Sequence, residues 1–396
     1  VKMTADTIIL EDITAETTDN IQIAAEIPAV KMNGLITLLD GVFSKASFDL
    51  DADGIFFDDR LNLALPEKFN NIYQALSPTG TFGLEPLRLN VSLAPDKSMQ
   101  VDFNGDIILN KCAFKTAPDI TGMTAKISPV GVYKVGKGFG DIKASLYAGI
   151  LRVKEKAIAE AKADIFFDSD LSKWIAENLV ATCYNGILRG KMEFLQHTDT
   201  PLEYSIQIGF DNISLADFLS DTAEPKDPNG GKTSGVMDGS LNVTGKVDGA
   251  GTKIGSCKLD VVDMKIGRLS PLARVLMVLK ITEPIDYAFQ QMFIDSYIEN
   301  DLLYFRKIDL AGKSLAFNGS GSMNIKNRNL DITLTARGER HAKAEPSVLQ
   351  SLADNLGGAV VKMRITGDYK DPQVKTTPLP FVEGMFKLLG TKETTP

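Results

Sequence analysis

The segment Leu87-Arg88-Leu89-Asn90-Val91-Ser92-Leu93 alternates apolar and polar residues without a break. The same period-two pattern returns in Met99-Gln100-Val101-Asp102-Phe103, in Leu202–Ile208 and in Leu330–Leu334. Because successive side chains of a strand point to opposite faces, each segment has one apolar face and one polar face. Such alternation is typical of antiparallel strands with one face in water. The sequence therefore predicts a mainly β fold of mostly antiparallel strands joined by short turns.

A second pattern, apolar-x-apolar-x-Gly, occurs four times. It is found at Val101–Gly105, Leu241–Gly245, Leu315–Gly319 and Met363–Gly367. In each copy the glycine shares the parity of the apolar residues and so lies on their face. One interpretation is a strand end followed by a turn. The other is repeated curvature, which would make the apolar face concave.

The apolar faces must be shielded from water, and two arrangements that would do this fit the pattern. A second sheet would give a closed sandwich. Bound acyl chains would leave the sheet as an open hydrophobic groove. Periodicity does not separate these structures, and ordinary core positions fit each apolar residue equally well. The residues that we select as groove candidates share parity on apolar faces: Val101, Phe103, Leu241, Val243, Phe317, Met323, Met363 and Ile365.

A few short amphipathic helices are also predicted from apolar stripes at helical spacing. They are Pro66–Ser77, Asp170–Leu179, Gly34–Phe43, Pro271–Leu279, Ile285–Phe293, Pro346–Leu356 and Phe381–Leu389. Residues 221–232 are polar and rich in Pro and Gly, which indicates a loop or boundary. This divides the chain into residues 1–220, a module at 233–380, and a short terminal helix and tail at 381–396.

Composition excludes several classes of function. The chain has 396 residues, of which 43 are Lys or Arg and 51 are Asp or Glu, for a formal charge of −8. A nucleic-acid partner is therefore not expected, because phosphate binding usually needs a basic surface. No apolar run reaches the ~18–20 residues that span a bilayer. The three cysteines form neither a disulfide framework nor a metal-ligand spacing.

No motif predicts catalysis, a metal or a cofactor. Asp49–Gly54 copies the first six positions of a calcium loop, but Arg60 stands where the loop needs a bidentate Glu. The alternation of Phe48, Leu50 and Ala52 favours a strand there instead. The two histidines, His197 and His341, lie far apart in polar surroundings. We therefore expect a protein that is not an enzyme.

From about Thr233 onward the chain resembles the C-terminal region of AsmA-like proteins. Each piece is unspecific alone, and their order carries the resemblance. The pieces are Ser234–Leu241, Ile254–Leu279, Phe289–Asp301, Asp309–Gly312, Leu315–Leu334, Ile365–Val374 and Pro378-Leu379-Pro380.

The resemblance, which extends to TamB and YhdP, implies an elongated, curved β-sheet that forms an open hydrophobic groove. It implies binding and transfer of phospholipid-like acyl chains in the bacterial periplasm, in support of outer-membrane maintenance. Members of the family are usually anchored in the inner membrane by an N-terminal helix, so we expect such an anchor outside this chain. It implies no catalytic residues. The alternative is a structural or assembly protein that binds other envelope proteins through strand edges.

Overall fold

The computed structural model describes residues 1–4, 6–16, 29–65, 70, 73–74, 76–116, 118–195, 201–220, 233–246, 253–265, 288–312, 315–338, 361–369 and 371–378. Several predictions lie outside these described residues. They are the loop at 221–232, the terminal helix and tail at 381–396, and the helices Pro271–Leu279, Pro346–Leu356 and Phe381–Leu389. His197 and His341 also lie outside them.

The chain divides into two compact units. The first is Val1–Ile208 with Lys246–Asp248, and the second is Gly209–Gly245 with Gly249–Pro396. The strands up to residue 195 are β1 (Lys2–Met3), β2 (Thr7–Glu16), β3 (Ala29–Leu39), β4 (Val42–Phe56), β5 (Thr79–Leu93), β6 (Met99–Phe114), β7 (Ile120–Lys134), β8 (Gly138–Val153), β9 (Lys156–Asp168), β10 (Lys173–Cys183) and β11 (Gly186–Leu195). The later strands are β12 (Glu203–Ser214), β13 (Ser234–Lys246), β14 (Ile254–Lys265), β15 (Ala288–Glu299), β16 (Leu302–Gly312), β17 (Leu315–Asn324), β18 (Asn329–Gly338), β19 (Val361–Asp368) and β20 (Gln373–Pro378).

Both units are antiparallel meanders. In the first, each strand from β1 to β11 pairs with the next strand of the chain. In the second, the same holds from β13 to β20. Among the described residues, no pairing joins the first of these strands to the last in either unit, so each sheet is open.

Curvature comes from β-bulges in several strands of the sheet. A bulge inserts one residue into a strand, which bends the strand and increases its twist. Many of the residues at these bulges have positive φ, a conformation that is most accessible to Gly, Asn and Asp. Examples are Asp12 in β2, Gly54 in β4, Lys111 in β6, Gly122 in β7, Glu160 in β9, Asn178 in β10, Asn212 in β12 and Asp263 in β14. The predicted fold class, a curved, open, antiparallel and mainly β sheet with a few short helices, is confirmed.

Helices are short in the described part of the chain. Helix α1 (Asp59–Ala64) begins after Asp58, whose carboxylate accepts hydrogen bonds from the backbone N–H groups of Arg60 and Leu61. Helix α2 (Leu215–Ser220) follows β12. The described residues of the predicted helix Pro66–Ser77 include helical positions at 70, 73, 74 and 76.

Three predicted helices are wrong. Asp170–Leu179 overlaps β10, where the bulge at Asn178 places the inward residues Ala176 and Leu179 three positions apart and so imitates helical spacing. Gly34–Phe43 is the β3–β4 hairpin, with positive φ at Asp40 and Gly41. In Ile285–Phe293, the described residues from 288 onward belong to β15.

Candidate functional site

The second unit has one continuous apolar face, here called its inner face. Directly paired residues of an antiparallel sheet lie on the same face, so pairs can be followed from strand to strand. One such row begins at Leu241 in β13 and ends at Val374 in β20. Its members are Leu241, Cys257, Ser296, Phe305, Gly321, Ile332, Ile365 and Val374.

Burial changes along the strands of this inner face. One row is almost entirely buried and includes Met237, Val261, Leu310, Phe317 and Ala336. A second row crosses the same strands near their other ends. All of its residues are half-buried, and we call it the open row. The open row consists of Val243, Ile298, Leu303, Met323 and Leu330 with two glycines. The inner face therefore has a buried side and a side that is accessible to a ligand.

All six groove candidates of this unit lie on the inner face, but they differ in exposure. Phe317 and Met363 are fully buried at 0%, and Ile365 is exposed by only 4%. Leu241, Val243 and Met323 are half-buried. Only the half-buried residues are positioned to contact a bound molecule directly.

The first unit has an inner face of the same kind. A row of direct pairs crosses eight strands, from β4 to β11. It consists of Phe48, Leu89, Phe103, Gly131, Ile142, Phe167, Trp174 and Phe194. The candidates Phe103 and Val101 both lie on this face, because Val101 pairs with Tyr133 and Phe103 pairs with Gly131.

One end of this inner face, here called the closed end, is made of small buried side chains. Leu109, Ala125, Ala148 and Ala161 pair in a row across β6 to β9. The buried cluster consists of Leu109, Cys112, Ala125, Ala148, Leu151, Ala161 and Ala181, and Phe57, Phe82 and Phe114 pack against it. The ring of Phe57 lies 5.0 Å from that of Phe82. Large rings over small side chains leave little space for a ligand here.

The other end carries an aromatic rim, which we define as Phe103, Tyr133, Phe139, Phe167, Trp174 and Phe194. Each of these side chains is half-buried. The ring centroids of Tyr133 and Phe139 are 4.8 Å apart, and those of Phe167 and Trp174 are 4.7 Å apart. Phe103 lies over Gly131, where an added Cβ would be 2.6 Å from the end of its ring. The missing side chain at Gly131 thus lets the Phe103 ring lie against the sheet.

Sequence reasoning found Phe103 but missed the other five residues of the rim. Trp174 lies in Asp170–Leu179, where the apolar spacing predicts a helix. Phe139 follows a turn and a change of inward-facing parity that the alternation does not predict. The clustering of Phe166, Phe167 and Trp174 on both sides of one hairpin is a signal that could have found them.

The outer faces carry cross-strand ion pairs, beside exposed apolar residues such as Val130 and Ile150. Arg88 Nε lies 2.8 Å from Asp49 Oδ1, Lys126 Nζ lies 2.7 Å from Asp106 Oδ2, and Arg364 lies 2.9 Å from Asp331. Hydrogen bonds from Lys126 and then Ser128 lower the pKa of Asp106. The hydrogen bond from Arg364 lowers the pKa of Asp331. The two faces therefore differ in chemistry, with charge pairs on one and apolar side chains on the other.

Asp49–Gly54 lies in β4, as the strand interpretation predicts. Within the described ranges there is no group of three or more His, Cys, Asp or Glu side chains that could hold a metal ion. A helix long and apolar enough to cross a membrane is likewise not found in the described part of the chain.

No protein-family model matches this sequence, and neither a curated protein nor a solved structure is significantly similar to it. The resemblance to AsmA-like proteins thus stays a prediction that rests on the order of its motifs.

Proposed function

We propose that the protein binds phospholipid-like acyl chains along its apolar inner faces and transfers them. The observation that carries this proposal is the row from Phe48 to Phe194, which crosses eight strands on one apolar face. Its side chains are half-buried except at Ile142, which is buried, and at Gly131, which has no side chain. Every described strand from β1 to β11 belongs to the same meander, so none of them forms a second sheet that could cover this face. A continuous accessible apolar surface is the mark of an interaction site.

The energetics of such binding need no specific polar contact. Burial of each lipid CH₂ contributes about 0.8 kcal/mol, so a chain of modest length is held by nonspecific contact alone. Because the contacts are similar on adjacent strands, displacement of the chain from one strand to the next exchanges one apolar contact for another. This suits transfer along a sheet, and it requires no catalytic residue, metal or cofactor.

The AsmA-like resemblance supports the same proposal and adds its setting. It leads us to propose a periplasmic protein that contributes to outer-membrane maintenance. The curved, open antiparallel sheet agrees with the groove that the resemblance implies.

The competing function, binding of envelope proteins through strand edges, finds less support. Strand β20 pairs with β19 on one side, and no described strand pairs with its other side. It carries Lys375 and Pro378, residues that natural sheets place on edges to prevent further pairing. The free edge of β20 therefore has the features of an edge that is protected from pairing with another strand.

Native mass spectrometry of the purified protein tests the proposal. We expect copurified phospholipid after gentle extraction, and we expect an added fluorescent fatty acid to compete with it. A protein that carries no lipid and binds no fatty acid would contradict lipid binding and favour the edge-binding alternative. Phe103→Glu at the aromatic rim should lower lipid occupancy, whereas Val130→Glu, an exposed position on the outer face, should not.

A further inference from the structure

We infer that a phospholipid sits with the head-group end of its acyl chains at the aromatic rim and with the chain ends directed toward the closed end. This inference rests on the proposed function and adds an orientation to it. Three features of the first unit carry it: the gradient of burial, the chemistry of the rim and the charge of the adjoining hairpins.

The gradient of burial gives the direction. At the closed end Ala148 and Cys112 are fully buried, and Leu109 is exposed by only 5%. At the rim, six residues from Leu109 and nine from Cys112 along β6, the Phe103 ring is half-buried. A chain can therefore lie on the face only from the rim inward, because side chains already fill the space at the closed end.

The chemistry of the rim suits the region just below a lipid head group. Tyr and Trp have an apolar body and a polar edge, which is why they collect where apolar and aqueous surroundings meet. Tyr133 and Trp174 lie in this rim, each in contact with a phenylalanine ring. At the closed end Phe57, Phe82 and Phe114 pack onto buried side chains. Tyr73, whose ring lies 6.2 Å from that of Phe57, donates a hydrogen bond from its hydroxyl to the backbone carbonyl of Asp58.

The two hairpins next to Phe103 and Tyr133 have an excess of positive charge. Residues 94–98, between β5 and β6, contain Asp96 and Lys97, and residues 134–138, between β7 and β8, contain Lys134 and Lys137. Asp96 forms an ion pair with Lys137, which lowers the pKa of Asp96. Lys97 and Lys134 remain as the excess charge in these two hairpins. A phosphate group beside these two hairpins has the complementary charge, whereas the hairpin between Phe167 and Trp174 carries Asp168, Asp170 and Lys173 and adds no positive excess.

The single tryptophan of the chain makes this orientation measurable. Bromine atoms on an acyl chain quench tryptophan fluorescence on contact, so phospholipids brominated at different depths report which part of the chain touches Trp174. We expect the strongest quenching with bromine close to the head group and the weakest with bromine at the chain end. The measurement uses the unmodified protein, loaded to equal occupancy as determined by native mass spectrometry.

A reporter at the closed end serves as the matched control. Phe82 pairs with Leu109 and packs against the buried cluster, so the double variant Trp174→Phe, Phe82→Trp moves the fluorophore to that end. Its circular dichroism should match the wild type, and chain-end bromine should quench it more than head-group bromine does. Stronger quenching of Trp174 by chain-end bromine, or no quenching while lipid is bound, would overturn the orientation and leave lipid binding intact. Absence of bound lipid would instead overturn the proposed function itself.

Discussion

The backbone N–H of Asn212 in β12 donates a hydrogen bond of 2.7 Å to Oδ1 of Asp238 in β13. Asn212 is a bulge residue with φ of 57°, and a bulge removes its residue from the regular ladder of backbone hydrogen bonds. The same arrangement occurs at Asp12, whose N–H donates to Oδ1 of Asn33 at 2.8 Å. A polar side chain on the following strand thus satisfies the donor that each of these bulges leaves unpaired.

Replacement of Asp238 should reveal what this contact contributes. We expect Asp238→Ala to lower the free energy of unfolding by about 0.5–1.5 kcal/mol, because the bulge N–H loses its acceptor. Asp238→Asn keeps an acceptor oxygen at the same position and should stay close to the wild type. Urea unfolding of the three proteins measures the difference. Equal stability of the Ala and Asn variants would show that the hydrogen bond does not stabilise the bulge.

Gly319 and Gly149 differ in the space that an added side chain would find. A Cβ on Gly319 would lie 2.1 Å from the carbonyl oxygen of Thr333, so the backbone of β18 must move. We expect Gly319→Ala to cost about 1–3 kcal/mol through overpacking. Gly149 has no atom within 4 Å of its added Cβ and no positive φ. Gly149→Ala should be neutral or stabilising by about 0.4–1 kcal/mol, because it restricts the unfolded chain. Thermal unfolding compares the two, and equal effects would contradict the close approach at Gly319.

The alternation of apolar and polar residues predicts the strands. It does not predict the bulges, at which the inward-facing residues change from odd to even positions or the reverse. Up to Leu109 the inward residues of β6 are odd-numbered, and after the bulge at Lys111 they are Cys112 and Phe114. A period-two pattern assigns the wrong face beyond such a point. The alternation also does not predict how burial changes with position along a strand. Phe317 and Met323 share a face and a parity, yet one is fully buried and the other half-buried. Burial depends on the bend of the sheet, which depends on bulges in several strands at once.

Acidification should weaken the outer face through its carboxylates. Hydrogen bonds from Lys126 and Ser128 lower the pKa of Asp106 below its value of about 3.9 in the unfolded chain. Its contribution to stability is therefore present above about pH 4 and is lost as the pH falls through the lower pKa of the folded state. In Asp106→Asn this contribution is absent at all pH values. We expect its unfolding free energy to fall less steeply below about pH 4 than that of the wild type, as measured by urea unfolding at a series of pH values. Parallel curves for the two proteins would show that Asp106 gains nothing from its partners.

The sharpest test of the inner faces compares a charge at Phe317 with a charge at Phe103. Phe317 is fully buried, and its ring centroid lies 6.2 Å from that of Phe289. An unpaired charge at this position is costly, so we expect Phe317→Glu to be unfolded or insoluble. Phe317→Leu removes the ring without adding a charge and should remain folded.

Phe103 is half-buried at the aromatic rim, where a carboxylate can reach water beside the hairpin at residues 94–98. Phe103→Glu should therefore stay folded, with a modest fall in melting temperature and a clear loss of bound lipid, while Phe103→Leu keeps most of the lipid. Differential scanning fluorimetry and native mass spectrometry measure both quantities on the same samples. If both Glu variants were insoluble and the wild type carried no lipid, the inner faces would be closed cores. An open rim requires that Phe103→Glu stays folded and loses lipid. A buried row requires that Phe317→Glu is unfolded.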